Sequence, residues 1–363
     1  MPRVIGIDPG TVTIDACGLD GGRLFLDESL PTREALASPR RLVTWLEQWL
    51  PLDLVAGPSG YGLPLRRARD LTDTDLRLAY LAGDGDGGIG GLRSLARALA
   101  ASELPVVFTP GVVHLPSVPP HRKINRVDMG TADKLCATAL AVRDQASRRR
   151  HAIAEVSLIL LELGGAFSAA VAVECGKVVD GVGGTSGPMG IAAAGALDGE
   201  VAFLARTITK EMLFGGGAAS VMGDATAAPE SLATGHAPRT RLAWDAYIEG
   251  AVKAVASLRV SAPSAREVVV SGRMARVARV REELARRLAI IAPDMTVCLL
   301  RGFATVAKQA AQGAALIADG LAGGTEGLLV KSLEIAEASG TVLDHLAFIT
   351  PSAARERLGI ADA

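Results

Sequence analysis

The chain has 363 residues, 49% hydrophobic and 21% charged, a globular profile long enough for two domains. A formal net charge of −1 offers no field to nucleic acid or an acidic membrane, and 4% aromatics leave too few rings for a single-strand stacking platform. Four scattered cysteines (Cys17, Cys136, Cys175, Cys298) read as free thiols in a reducing cytosol, and with five isolated histidines they lack transition-metal spacing. The N-terminus enters a strand pattern at once, unlike a signal peptide. No stretch reaches the ~20 uninterrupted apolar residues of a membrane span, so a cytoplasmic protein is expected.

In chain order, residues 3–28 predict a hairpin. The strand R-V-I-G-I-D leads into T-V-T-I-D-A-C-G-L, and Asp20–Gly22 turns the chain into R-L-F-L-D. Apolar spacing at Leu42, Val43, Trp45, Leu46, Trp49 and Leu50 predicts a helix stopped by Pro51. The strand L-D-L-V-A follows and ends in the loop G-P-S-G-Y-G-L-P. Two helical stretches flank the Gly-rich run 83–91, which reads as a loop. L-P-V-V-F-T-P and V-V-H-L-P carry prolines that predict edge strands. Residues 130–150 predict a helix whose R-R-R-H end suits a C-terminus.

The opening pattern then returns. Residues 156–180 form a strand ending on Glu162, a turn through Gly164 and Gly165, the hydroxyl of Ser168, and a second strand turning at Cys175–Gly176. The match is to a strand ending on Asp8, then Gly10, Thr11 and Thr13, and a turn at Gly21–Gly22. One duplicated supersecondary unit, opening each of two lobes, is the expectation. After a Gly-rich segment, helices are expected over much of 198–213 and 241–259. The buried strand E-V-V-V-S, a basic amphipathic helix, the strand M-T-V-C-L-L and a small-residue helix over 304–321 follow.

Glycine turns expose backbone N–H groups to phosphate oxygens, and hydroxyls add donors. Carboxylates beside phosphates make sense with a cation, so Asp8 and Glu162 are candidate Mg²⁺ holders, through water. Two such hairpins facing each other would grip a polyphosphate. Neither a Walker A loop nor a dinucleotide fingerprint occurs.

These segments resemble the acetate and sugar kinase, heat-shock chaperone and actin superfamily. I-G-I-D-P-G-T is similar to its first phosphate segment, and L-E-L-G-G-A-F-S to the second, with Glu for the commoner Asp. V-V-V-S-G-R-M resembles the adenosine segment, with Ser271–Gly272 for Gly-Gly. A-A-Q-G-A-A-L-I-A and G-T-A-D-K-L resemble the two connecting helices. More narrowly, V-A-G-P-S-G-Y-G, D-M-G-T-A-D-K-L and D-G-V-G-G-T resemble an uncharacterised family of predicted butyrate kinases. The resemblance implies an α/β fold of two ribonuclease-H-like, actin-like ATPase lobes around a central nucleotide cleft. It implies lobes at 1–130 and 131–320, with 321–363 returning to the first.

It also implies a phosphotransferase using ATP and Mg²⁺, with Gly10, Thr11, Thr13, Gly164, Gly165, Ser168, Ser271, Gly272 and Arg273 at the nucleotide. The acceptor would be a small molecule such as a short-chain carboxylate, and a homodimer is compatible with it. The alternatives are a nucleotide-driven switch or activator, and a non-catalytic nucleotide-binding scaffold. An alcohol acceptor needs a carboxylate base; a carboxylate acceptor needs positive charge instead. Asp133, in G-x-x-D-K, resembles the active-site Asp of type III pantothenate kinases, and Asp128 is its rival. Arg122, Lys123 and Arg126 are candidates for holding an anion. Ser59 and Tyr61, on a Gly-rich loop after a strand, are candidate substrate contacts.

Overall fold

The computed structural model describes residues 1–10, 12–83 and 91–360. Thr11 and residues 84–90 of the Gly-rich run lie outside the described residues. The chain divides into two compact units. The first comprises Met1–Val127, Thr131–Ala154 and Arg301–Ala363; the second comprises Asp128–Gly130 and Glu155–Leu300.

The first unit carries six strands: β1 (Arg3–Pro9), β2 (Thr13–Asp20), β3 (Arg23–Pro31), β4 (Leu54–Pro58), β5 (Arg66–Arg67) and β6 (Val106–Thr109). They form one sheet in the order β3-β2-β1-β4-β6-β5. β1 to β3 pair antiparallel, and β4 and β6 extend the sheet in parallel with β1. The second unit carries β7 (Leu158–Leu163), β8 (Ser168–Glu174), β9 (Lys177–Val182), β10 (Glu267–Ser271) and β11 (Thr296–Leu299), ordered β11-β10-β7-β8-β9. Read outward from β7, this repeats β1 to β4 and β6 in order and direction. The hairpin turns agree as well. Gly21 and Gly22 have φ of 55° and 79°, Cys175 and Gly176 have 50° and 75°, and two successive positive φ values mark a turn that matches strand twist.

Glycines set the packing of the first unit. A Cβ on Gly6 would strike the backbone of Ala311 and Ala315, so the Gln309–Leu321 helix lies flat on β1. A Cβ on Gly313 would strike the Cys136 carbonyl, so the Ala132–Arg149 helix crosses that helix closely. Both helices belong to the first unit. In the second unit the Pro238–Arg259 and Ala278–Ile291 helices bury Tyr247, Ile248, Leu284 and Leu288 with Ile159, Leu161, Val268 and Val270 of the sheet. Each such aliphatic side chain contributes about 1.5–3 kcal/mol of burial.

Three expectations change. β6 is fully buried and lies between β4 and β5; β5, invisible in the sequence pattern, takes the edge. Val112–His114 is a short 3₁₀ turn rather than a strand, because Pro110–Gly111 breaks the extended run. The helix expected from 304 starts at Gln309, since residues 303–307 fold back onto side-chain acceptors instead. Among the described residues, no helix is long and apolar enough to cross a membrane.

Candidate active site

Each sheet delivers one glycine turn at the end of its first strand. In the first unit the Gly10 N–H donates to the Thr13 carbonyl at 3.0 Å. In the second, the Gly164 N–H donates to the Phe167 carbonyl at 2.9 Å. A Cβ on either glycine would stand 2.9 Å from that same carbonyl oxygen, closer than a Cβ tolerates, so both positions need glycine. The duplication therefore extends to the hydrogen bond that closes the turn.

Around the first turn the side chains are ionic. Asp8 and Asp15 are paired residues on β1 and β2, so their carboxylates share a face of the sheet. Both are buried. Like charges placed opposite each other repel, and one cation answers them. The Nζ of Lys308, just ahead of the Gln309–Leu321 helix, lies 3.0 Å from Asp15 Oδ2 and donates to Thr13 Oγ1 at 2.6 Å. Ser29 Oγ donates to the other Asp15 oxygen at 2.7 Å. Asp8 has no hydrogen bond or ion pair among the described residues. Burial first, then the Asp133 carboxylate, raise it to about 7, while Lys308 and Lys134 pull it down.

Asp133 opens the Ala132–Arg149 helix, where Thr131 Oγ1 donates to one oxygen and Lys134 Nζ to the other at 2.6 Å. Burial works to raise Asp133, but Lys134 and Thr131 outweigh it and hold the carboxyl below its ordinary value. The Ala132 N–H donates to the Gly60 carbonyl at 3.0 Å, which ties this helix start to the loop after β4.

Around the second turn the packing is tight, and the charges are Glu162 at the strand end and the exposed Arg273–Glu230 pair. Glu162 pairs in register with Ser271 of β10. Gly272 follows with φ of 89°, and a Cβ there would meet the Leu163 carbonyl at 2.5 Å and the Gly164 nitrogen at 3.0 Å. The Ser271–Gly272 segment thus rests on the turn itself. Gly165 is exposed, with the Arg273 side chain alongside. Arg273 is held by a bidentate pair with Glu230, at 2.6 and 2.9 Å.

Several expected site residues are occupied elsewhere. The buried Asp128 carboxylate accepts from the N–H and hydroxyl of Thr185, both at 2.9 Å, and from Gly130 N–H; it clamps the 183–186 loop. Ser59 Oγ donates to the Thr109 carbonyl at 2.8 Å and accepts from Leu63 N–H at 3.1 Å, which closes its loop and leaves no hydroxyl for a substrate. Tyr61 is buried, its N–H bonded to the Ala79 carbonyl. Lys123 is buried and donates to the Leu115 carbonyl at 2.8 Å, and burial lowers its pKa. Ser168 and Ser271 are buried, with Ser168 beside Tyr247 in the core of the unit rather than at the mouth of the turn. Arg126 is exposed and Arg122 half-buried, both in the 119–126 segment.

Sequence reasoning missed Lys308, Asp15, Asp27 and Gln312. Asp15 had a signal: it lies two residues beyond Thr13, hence on the same strand face. Asp27 accepts from Thr305, Val306 and Ala307 N–H, and Gln312 Oε1 accepts from Phe303 and Ala304 N–H. Together they fold residues 303–307 and deliver Lys308 to the turn.

Over residues 6–348 the sequence matches the family described as "Protein of unknown function (DUF1464)", and the chain belongs to it. No curated protein matches the chain. Among solved structures it is similar to a propionate kinase from Francisella tularensis subsp. tularensis SCHU S4, with 13% identity, a TM-score of 0.61, and coverage of 86% of this chain and 99% of that one. It is similar to acetate kinase from Porphyromonas gingivalis, with 13% identity, a TM-score of 0.60 and coverage of 86% and 98%. Acetate kinase from Entamoeba histolytica gives 12% identity, a TM-score of 0.57 and coverage of 80% and 87%. At these identities the likeness shows the fold alone: two α/β units, as in these acetate and propionate kinases.

Proposed function

We propose that this chain is an ATP- and Mg²⁺-dependent phosphotransferase acting on a small molecule, with a short-chain carboxylate such as butyrate as acceptor. The observation that carries the reading is the duplicated glycine turn. The same N–H-to-carbonyl closure ends the first strand of both sheets, and each turn offers backbone donors where a phosphate would sit. Kinases of the same fold, acting on acetate and propionate, support the choice of reaction class and acceptor.

Asp8 fits a magnesium site. Its side chain is a buried carboxylate without a hydrogen-bond donor among the described residues, next to a second carboxylate, and burial and the Asp133 carboxylate raise its pKa. Magnesium is commonly held by one or two carboxylates together with waters and phosphates. Asp8 would hold Mg²⁺ for the first unit, and Glu162 stands at the equivalent strand end in the second. When bound, the metal supplies charge neutralisation at the phosphates. In the first unit the chain's part is to orient phosphate oxygens at the Gly10 turn and to present the Asp8 carboxylate to the cation.

Asp133 bears on the acceptor. A general base works best with a pKa near the working pH, whereas Asp133 is held below its ordinary value by Lys134 and Thr131. A depressed carboxylate is a poor base for an alcohol, and an acceptor that is already anionic needs none. Arg122 and Arg126 are the cations proposed to meet that anion. The test is direct. Purified protein with Mg-ATP, a short-chain acid and hydroxylamine should yield the acyl hydroxamate. Turnover with sugars and none with acids would overturn the carboxylate assignment. ATP hydrolysis that no acceptor stimulates would favour a nucleotide-driven switch.

A further inference from the structure

We infer that Lys308 is a phosphate-contacting residue, parked on Asp15 until nucleotide binds. The inference rests on the phosphotransferase reading above and adds a binding group to it.

Three observations converge on Lys308. First, its placement is built. Residues 303–307 are wrapped around Asp27, which accepts four hydrogen bonds from Thr305, Val306 and Ala307, and around Gln312. The helix that follows is pinned to β1 where Gly6 removes the side chain. A solvated surface lysine needs no such scaffold. Second, the Nζ reaches the floor of the turn. It lies 2.6 Å from Thr13 Oγ1 and 3.4 Å from the Thr13 carbonyl, and a Cβ on Gly10 would be 3.0 Å from it. A phosphate seated on the Gly10 turn lies within reach of this ammonium after a small rotation. Third, the side chain is only partly withdrawn from water. Its relative exposure is 42% against 2% for Asp15, so the ammonium keeps an open side while its partner does not. An ammonium is a compact point charge on a flexible stem, suited to exchanging one anion for another.

Lys308 offsets the repulsion between Asp8 and Asp15. With nucleotide present, its open side takes a phosphate oxygen and Thr13 Oγ1 is released. The lysine keeps its proton throughout and makes no covalent bond.

A purely structural ion pair gives a different outcome, which the double variant exposes. Lys308→Gln alone strands a buried Asp15 carboxylate and is expected to lower stability. Asp15→Asn with Lys308→Gln removes both charges and should melt within a few degrees of wild type. Mg-ATP affinity, measured by calorimetry, should fall about tenfold or more in the double variant, because a charge-assisted phosphate contact is gone. Asp15→Asn alone should bind at least as tightly as wild type, and Lys308→Arg should recover most of the loss. Double-variant affinity within about twofold of wild type overturns the inference. Failure of wild type itself to bind Mg-ATP overturns the phosphotransferase reading instead, so the two failures are distinct.

Discussion

The two glycine turns share a backbone and differ in almost everything attached to it. The Gly10 turn is ringed by Asp8, Asp15, Lys308, Asp133 and Lys134. The Gly164 turn is ringed by Gly272, by buried Ser168 and Ser271, and by Gly184 and Gly190, whose added Cβ atoms would meet Phe167 and Ala166. Duplication preserved the device that presents N–H groups, while the surroundings diverged into a charged turn and a close-packed one. In the first, electrostatics limit what can change; in the second, volume does.

The largest test of that contrast sets Asp8 of the first turn against Ser168 of the second. Asp8→Ala should remove the Mg²⁺-dependent part of ATP binding, about 100-fold or more, because a metal contact is worth several kcal/mol at a polyphosphate. Ser168→Ala in the second unit should change affinity by less than about threefold, its hydroxyl being buried beside Tyr247. Calorimetry with Mg-ATP and with ATP in chelator reads both. Equal losses at the two positions would break the contrast.

Glycine substitutions should reverse the ranking. Gly272→Ala places a Cβ 2.5 Å from the Leu163 carbonyl at a φ of 89°, where nothing can yield cheaply. A cost of about 2–4 kcal/mol in urea unfolding is expected. Gly10→Ala meets the Thr13 backbone carbonyl at 2.9 Å and the tip of Lys308 at 3.0 Å; the tip can move, but the carbonyl that closes the turn must shift. Its contact is less severe than that at Gly272, so its cost should be smaller, about 1–2 kcal/mol, with a larger effect on nucleotide affinity than on stability.

The charged turn also predicts a pH signature. Asp8 ionises near its ordinary 3.8 in the unfolded chain and near about 7 when folded. Between those values the folded chain binds more protons, so stability falls as pH rises through the window and stays low above it. Asp8→Asn removes the decline. The melting temperature of Asp8→Asn minus that of wild type should therefore grow from pH 5 to pH 8, by about 1–3 kcal/mol in stability terms. A difference that stays flat with pH would sink this account of Asp8.

Much of this was readable in the sequence, for local reasons. Strand, acid, glycine and hydroxyl lie close together in both halves, so both hairpins and their duplication are legible from pattern, while the full sheets are implied by the family resemblance. Asp133 is legible only through the resemblance of G-x-x-D-K to a kinase motif. Lys308 was not, because nothing within its own segment marks it; it meets Asp15 across 293 residues of chain. Tertiary packing also reassigned residues that looked reactive. Lys123 sits in a basic run that reads as an anion site, yet its ammonium is buried against a carbonyl. Ser59 reads as a substrate contact on a Gly-rich loop, yet short loops consume their own hydroxyls. Asp128 and Asp133 are five residues apart and chemically alike, and only the path of the 183–186 loop separates a clamp from a candidate site residue.

The smallest expected effect concerns the ion pair at the second turn. Arg273 and Glu230 make a bidentate contact, which raises the arginine and lowers the glutamate relative to their ordinary values. Both side chains are well exposed, at 53% and 42%, so water and salt screen the pair. Glu230→Gln should change stability by less than about 1 kcal/mol. If Arg273 serves the nucleotide, freeing it from Glu230 should tighten ATP binding slightly, by about twofold, and raise its salt sensitivity. If Arg273 only braces Glu230, affinity stays unchanged while Arg273→Ala also leaves ATP binding intact. The close-packed turn would then hold its ligand by backbone and shape alone, and the division of labour between the two turns would be complete.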